Sequence, residues 1–110
     1  MIISVRDENA QRFFILYMLG ITSALQKESI TFNEAWNWGL HIGTMDYVEK
    51  RYGEGNLEQI VHLGTELGDV KRIIPHAFSS SCENIIELCH ETLLANNITV
   101  HDNDFYLTIE

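Results

Sequence analysis

The sequence predicts a mainly α-helical fold, with residues 1–110 as one domain forming a bundle of four to five helices. Three observations predict it. Apolar residues recur at three- and four-residue spacing over four long stretches, helix-start signals stand before three of them, and glycine or proline closes two. The period then changes from helical to alternating near residue 98, which predicts a small terminal β-hairpin over 98–110.

The first helix is predicted over about Asp7 to Lys27. Phe14, Tyr17 or Met18, Ile21 and Leu25 are in phase, and Phe13, Gly20 and Ala24 widen the stripe. The second is predicted from Phe32 to Tyr52, behind the capping box Thr31-Phe32-Asn33-Glu34, with Phe32, Ala35, Trp38, Ile42 and Met45 inward. A looser box, Asn56-Leu57-Glu58-Gln59, opens the third, with Ile60, Leu63 or Gly64, Leu67, Val70 and Ile74 in phase. Gly64 and Gly68 each cost a helix about 1 kcal/mol against alanine, so a break near Gly64 into two short helices, with Thr65 or Asp69 as the new cap, is an expected alternative. Gly53 and Gly55 end the second helix and Pro75 the third. Ser80-Ser81-Cys82-Glu83 opens the fourth, which spans Cys82 to Ala95 with Cys82, Ile85 or Ile86, Cys89 and Leu93 inward, and Asn96-Asn97 ends it.

In the tail, Ile98 and Val100 alternate with polar residues, His101-Asp102-Asn103-Asp104 is turn chemistry, and Phe105, Leu107 and Ile109 alternate again. Met1 to Val5 supplies a possible third strand, because a lone hairpin is marginal in water.

Composition bounds the function. Hydrophobic residues make up 45% of the chain and charged ones 21%, enough for one packed core without metal or disulfide. The longest apolar run, Phe13 to Ile21, is nine residues and too short to span a bilayer. Met1-Ile2-Ile3 leads straight to Arg6 and Asp7, unlike a secretory leader, so a cytoplasmic protein is expected. Cys82 and Cys89 stand seven apart on one helix, about 10.5 Å, beyond the roughly 7 Å reach of a disulfide. They read as reduced core residues.

The net charge is −9 and unevenly placed. Residues 1–51 carry six acidic and five basic side chains; residues 52–110 carry ten acidic ones against Lys71 and Arg72 alone. Such a field repels nucleic acid and anionic lipid and attracts basic proteins; it also serves plain solubility.

Signs of chemistry are sparse. His62 and Glu66 are one turn apart on a helix, but no co-ligand completes a metal set, so no metal and no cofactor are expected. Neither cysteine combines a helix N-terminus with a nearby cation, the pairing that activates a thiol: Cys82 is on the first turn, but its neighbours Glu83 and Asn84 supply no positive charge. The glycines form neither a phosphate loop nor a dinucleotide fingerprint. No catalytic residues are assigned, and an enzyme centred on His62 and Glu66 is the weakest class.

Two features point to binding. Trp36 and Trp38 are two apart and point about 200° from each other on a helix, so they cannot both face one core. Either one is covered by the tail, or one is an exposed anchor. Glu83, Glu87 and Glu91 form an i, i+4, i+8 ladder, and each like-charge pair costs an isolated helix about 0.2–0.5 kcal/mol. Ordinary surface drift explains such a ladder, and so does a basic partner.

The segments Phe13-Phe14-Ile15-Leu16, Leu19 through Leu25, Ile30 through Ala35 and above all His62-Leu63-Gly64-Thr65-Glu66-Leu67-Gly68-Asp69-Val70 resemble a family of small helical bacterial proteins of unknown function. The resemblance covers roughly residues 13–94 and implies a helical fold without an assigned activity. In size and acidity the chain also resembles, in kind, the immunity proteins of bacterial toxin systems, including contact-dependent growth inhibition. That likeness implies a cytoplasmic protein that neutralises a basic toxin, of the nuclease kind, by charge complementarity. Glu83, Glu87, Glu91, Asp102 and Asp104 would supply charge, and Trp36 or Trp38 the anchor. The other class is an intracellular structural or regulatory adaptor, with a homodimer among its forms.

Overall fold

The computed structural model describes residues 3–5, 9–95 and 107–109, and it is mainly helical. A short strand β1 (Ile3–Val5) precedes α1 (Ala10–Gln26), α2 (Phe32–Trp38), α3 (Ile42–Tyr52), α4 (Asn56–Ile73) and α5 (Phe78–Ala95), and β2 (Leu107–Ile109) follows. α1 and α5 form the most extensive pairing, α4 packs on both, and α3 packs on α4. α1 and α5 run antiparallel: Arg12 Nη1 donates to the Leu93 carbonyl at 3.0 Å, and at the other end Gln26 Nε2 donates to the Ser79 carbonyl at 3.1 Å.

The core is one cluster. Ile15, Met18, Ile21 and Leu25 of α1 meet Leu57, Ile60, Val61 and Leu67 of α4 and Phe78, Cys82, Ile85 and Cys89 of α5. Of the expected α1 stripe, Met18, Ile21 and Leu25 are buried, and Ile15 takes the buried place expected of Phe14. Ile15, Met18 and Leu25 centre the buried arc, while Phe14 and Tyr17 stand at its edge, only partly buried. An edge position suits Tyr17, whose hydroxyl donates to the Trp38 carbonyl.

The expected single helix over 32–52 is two helices. Gly39 at φ 132° ends α2, a backbone angle that side chains rarely adopt. His41 then caps α3, with its Nδ1 accepting from the Thr44 amide at 3.3 Å. The break throws Trp38 and Ile42 outward, where the uninterrupted pattern had them inward; Ala35, Leu40 and Val48 are the buried residues of this stretch.

The expected break near Gly64 does not occur. α4 runs unbroken because Gly64 is buried against Leu40 and Met18: a Cβ there would stand 2.5 Å from Leu40 Cδ1 and 3.3 Å from Met18 Cε. The missing side chain permits close approach, and tertiary packing outweighs the propensity cost.

The helix-start signals divide. Thr31 caps α2 by accepting from the Glu34 amide at 3.1 Å. Asn56 does not cap α4; its Nδ2 donates instead to Thr92 Oγ1 at 3.2 Å, tying α4 to α5. Ser80 lies inside α5, which starts four residues earlier than expected, and its hydroxyl donates back to the Ala77 carbonyl at 3.0 Å. Pro75 ends α4 as anticipated, and a single 3₁₀ turn over Pro75–Ala77 leads directly into α5.

The C-terminal hairpin over 98–110 is not part of the described structure, because its first arm and turn lie outside the described residues. Leu107–Ile109 pairs antiparallel with the N-terminal strand, Ile3 opposite Ile109 and Val5 opposite Leu107. Among the described residues, no helix is long and apolar enough to cross a membrane.

Candidate binding surface

Both tryptophans are exposed, Trp36 at 52% and Trp38 at 56%, so the reading in which one is covered does not hold. They share α2 but not a neighbourhood. The Trp36 ring lies 5.6 Å from the imidazole of His41, at the start of α3. Trp38 turns toward α1, and its Nε1 donates to Glu34 Oε2 at 3.4 Å, one turn back on α2.

Between α1 and α2 lies an open groove of about 340 Å³ lined by Leu16, Tyr17, Gly20, Ala24, Glu34 and Trp38, among others. Leu16 is half exposed, and a Cβ added at Gly20 would meet nothing within 4 Å. The aromatic surface continues along α1 to α3: Tyr17 stacks on Phe13 with centroids 6.1 Å apart, and Phe14 packs on Tyr47 at 6.2 Å and Tyr52 at 6.3 Å. Sequence reasoning did not single out Leu16 and Tyr47 as exposed apolar residues and had Ile42 inward, whose exposure follows from the break at Gly39.

The glutamate ladder of α5 is exposed, as its spacing opposite Cys82 and Cys89 implied. Glu83 accepts from Gln26 Nε2 of α1 at 3.0 Å. Among the described residues Glu87 and Glu91 have neither an ion-pair nor a hydrogen-bond partner. The two cations of this half of the chain are engaged elsewhere: Lys71 Nζ meets Glu28 Oε1 at 2.8 Å, and Arg72 meets Asp69 at 3.0 Å. Lys71 holds the Glu28 carboxyl below the usual range, through their hydrogen bond first and charge second. α1 separates the ladder from the tryptophans, so the structure does not bring these two sets together in one cluster. Asp102 and Asp104 lie outside the described residues.

His62 and Glu66 do meet, Nε2 to Oε1 at 3.0 Å, on an exposed face of α4. The other ring nitrogen of His62 faces Met45 Sδ of α3 at 3.1 Å. Among the described residues, no group of three or more His, Cys, Asp or Glu side chains is placed to hold a metal ion. Cys82 and Cys89 are free and buried, and burial pushes both thiols up, Cys89 to about 11.

Residues 6–107 match the model of a family described as a protein of unknown function (DUF3969), and the chain belongs to that family. The matched span is wider than residues 13–94: it runs through α1 to α5 and ends at Leu107, the first residue of β2. No curated protein matches the chain significantly. No solved structure does either.

Proposed function

We propose that this chain is a small acidic immunity protein that binds and neutralises a basic protein toxin of the nuclease kind, in the cytoplasm of a bacterium. The observation that carries the reading is the exposed face of α5, where among the described residues Glu87 and Glu91 have no cation partner while Lys71 and Arg72 are spent on pairs elsewhere. Uncompensated carboxylates at helical spacing cost the isolated fold a little, and a cationic partner reverses that sign. The half-exposed tryptophans supply rigid aromatic area of the type that anchors interfaces. The same field disfavours direct contact with nucleic acid or an anionic membrane.

The exposed apolar groove between α1 and α2 favours a second reading, an intracellular structural or regulatory adaptor that self-associates. Affinity capture from the native strain separates the two. The proposed function requires a captured protein that is basic, arrests growth when expressed alone, and loses that effect when this chain is co-expressed. Capture of acidic or harmless partners only, with the chain dimeric by light scattering, would replace it with the adaptor.

A further inference from the structure

We infer that the chain pairs with a second copy of itself through the outer face of α1, antiparallel about a two-fold axis, with Leu16 of each copy seated over Gly20 of the other. The composition of α1 is the starting point. From Phe13 to Gln26 it carries no charged side chain, so the helix has no charged face to give to solvent, and helices of that kind are normally buried all round. Within one copy only one side is covered. Ile15, Met18, Ile21 and Leu25 are in the core, whereas Leu16 and Gly20 face solvent.

Shape makes this face self-complementary. Leu16 projects, and Gly20, one turn on, is a hollow over which an added Cβ would meet nothing within 4 Å. Knob and hollow lie on one i, i+4 row. A copy turned about an axis between them sets each leucine over the other's glycine, the reciprocal contact of a two-fold interface. Trp38 walls the same groove on the α2 side. Charge fits a second copy as well. The lining holds a single carboxylate, Glu34, already bonded to the Trp38 indole at 3.4 Å, and the α5 glutamates lie on the other flank of α1, beyond Gln26. A strongly cationic or anionic partner finds no counter-charge in this strip, whereas two chains of net charge −9 can meet across it with the α5 carboxylates outside the contact.

Area sets the strength. α1 has 17 residues and is about 25 Å long and 10–12 Å wide with its side chains. With Trp38 alongside, the strip amounts to about 500 Å² per copy and about 1,000 Å² in all, the lower end of specific interfaces. The dimer is therefore reversible, in the micromolar range. The inference stands apart from the toxin-binding reading, because the α5 carboxylates stay free in the dimer. The nature of the captured partner still decides between that reading and the adaptor.

Sedimentation of the full chain from about 1 to 300 µM tests the pairing. The chain should pass from monomer to dimer over this range, and more readily as salt rises, because screening relieves the repulsion of two bodies of charge −9. A basic partner shows the opposite salt dependence. Leu16→Lys and Gly20→Glu, both at exposed sites, should each keep the parent's Tm within a few degrees and weaken the dimer by about tenfold or more. Mixed in equal amounts, these two variants should associate again, since the register sets the new ammonium of one against the new carboxylate of the other. Leu16→Ala, which introduces no charge, should weaken the dimer without that rescue. A parent that stays monomeric throughout assigns the face to another occupant and overturns the inference. So does parental affinity in the Leu16 and Gly20 variants, which places the interface elsewhere. Loss of the dimer in both charged variants with no recovery on mixing overturns the pairing of Leu16 with Gly20.

Discussion

Cys89 has no exposed surface, and its thiol is surrounded by the apolar contacts of α1, α4 and α5. Burial disfavours the thiolate and moves its pKa from 9.0 to about 11. The folded-state value is the higher one, so the unfolded chain gives up its proton first. The thiol's contribution to stability is therefore intact below about pH 9 and is lost as pH rises toward 11. Urea unfolding should show a midpoint that falls across this window, and Cys89→Ala should flatten that fall while costing about 1 kcal/mol at neutral pH for the cavity. Rapid reaction of Cys89 with a thiol reagent at pH 7.5 would contradict the burial on which this rests. The inward position of both cysteines was legible in the sequence from their seven-residue spacing on an apolar stripe. The exposure of Trp36 and Trp38 was only half legible, since spacing showed that they diverge but not that Gly39 turns the chain between them and α3.

The same two glycine-bearing turns of α4 separate packing from propensity. Gly64 is buried under Leu40 and Met18, whereas Gly68 is exposed, and a Cβ there makes ordinary contact with Phe32 Cδ1 at 3.8 Å. Alanine at either position gains about 1 kcal/mol of helix propensity. At 64 the added methyl must displace the buried Leu40, which costs about 1–3 kcal/mol. Thermal unfolding should therefore show Gly68→Ala raising Tm and Gly64→Ala lowering it. A rise at both sites would mean that α4 does not approach Leu40 as closely as described. Four helical stretches could be read from apolar period and from Gly53 and Pro75. Their ends were less legible, because Asn56 and Ser80 have side-chain partners, Thr92 and the Ala77 carbonyl, that a local motif does not reveal. The break at Gly39 has no local signal stronger than the other glycines; it is set by Leu40 turning into the core above Gly64.

Across the whole molecule, structure and charge divide the surface in two. α5 presents carboxylates, and α1 with α2 presents apolar side chains on a separate face. The charge asymmetry was readable by counting residues, but the groove was not, because it forms from helices whose relative placement depends on the turn after Trp38. If the acidic face is the docking surface, its carboxylates were kept for encounter rather than for stability. Replacing Glu83, Glu87 and Glu91 together with glutamine should leave folding unchanged or slightly stronger, since two like-charge pairs at i, i+4 disappear. The measurement that tests this most directly is the association rate of the captured basic partner with the wild-type chain and with this triple variant, over a range of salt. The wild-type rate should fall steeply as salt rises, and the variant should associate more slowly at low salt and converge with the wild type at high salt. Equal rates for the two proteins at low salt would contradict the assignment of the α5 carboxylates to partner binding.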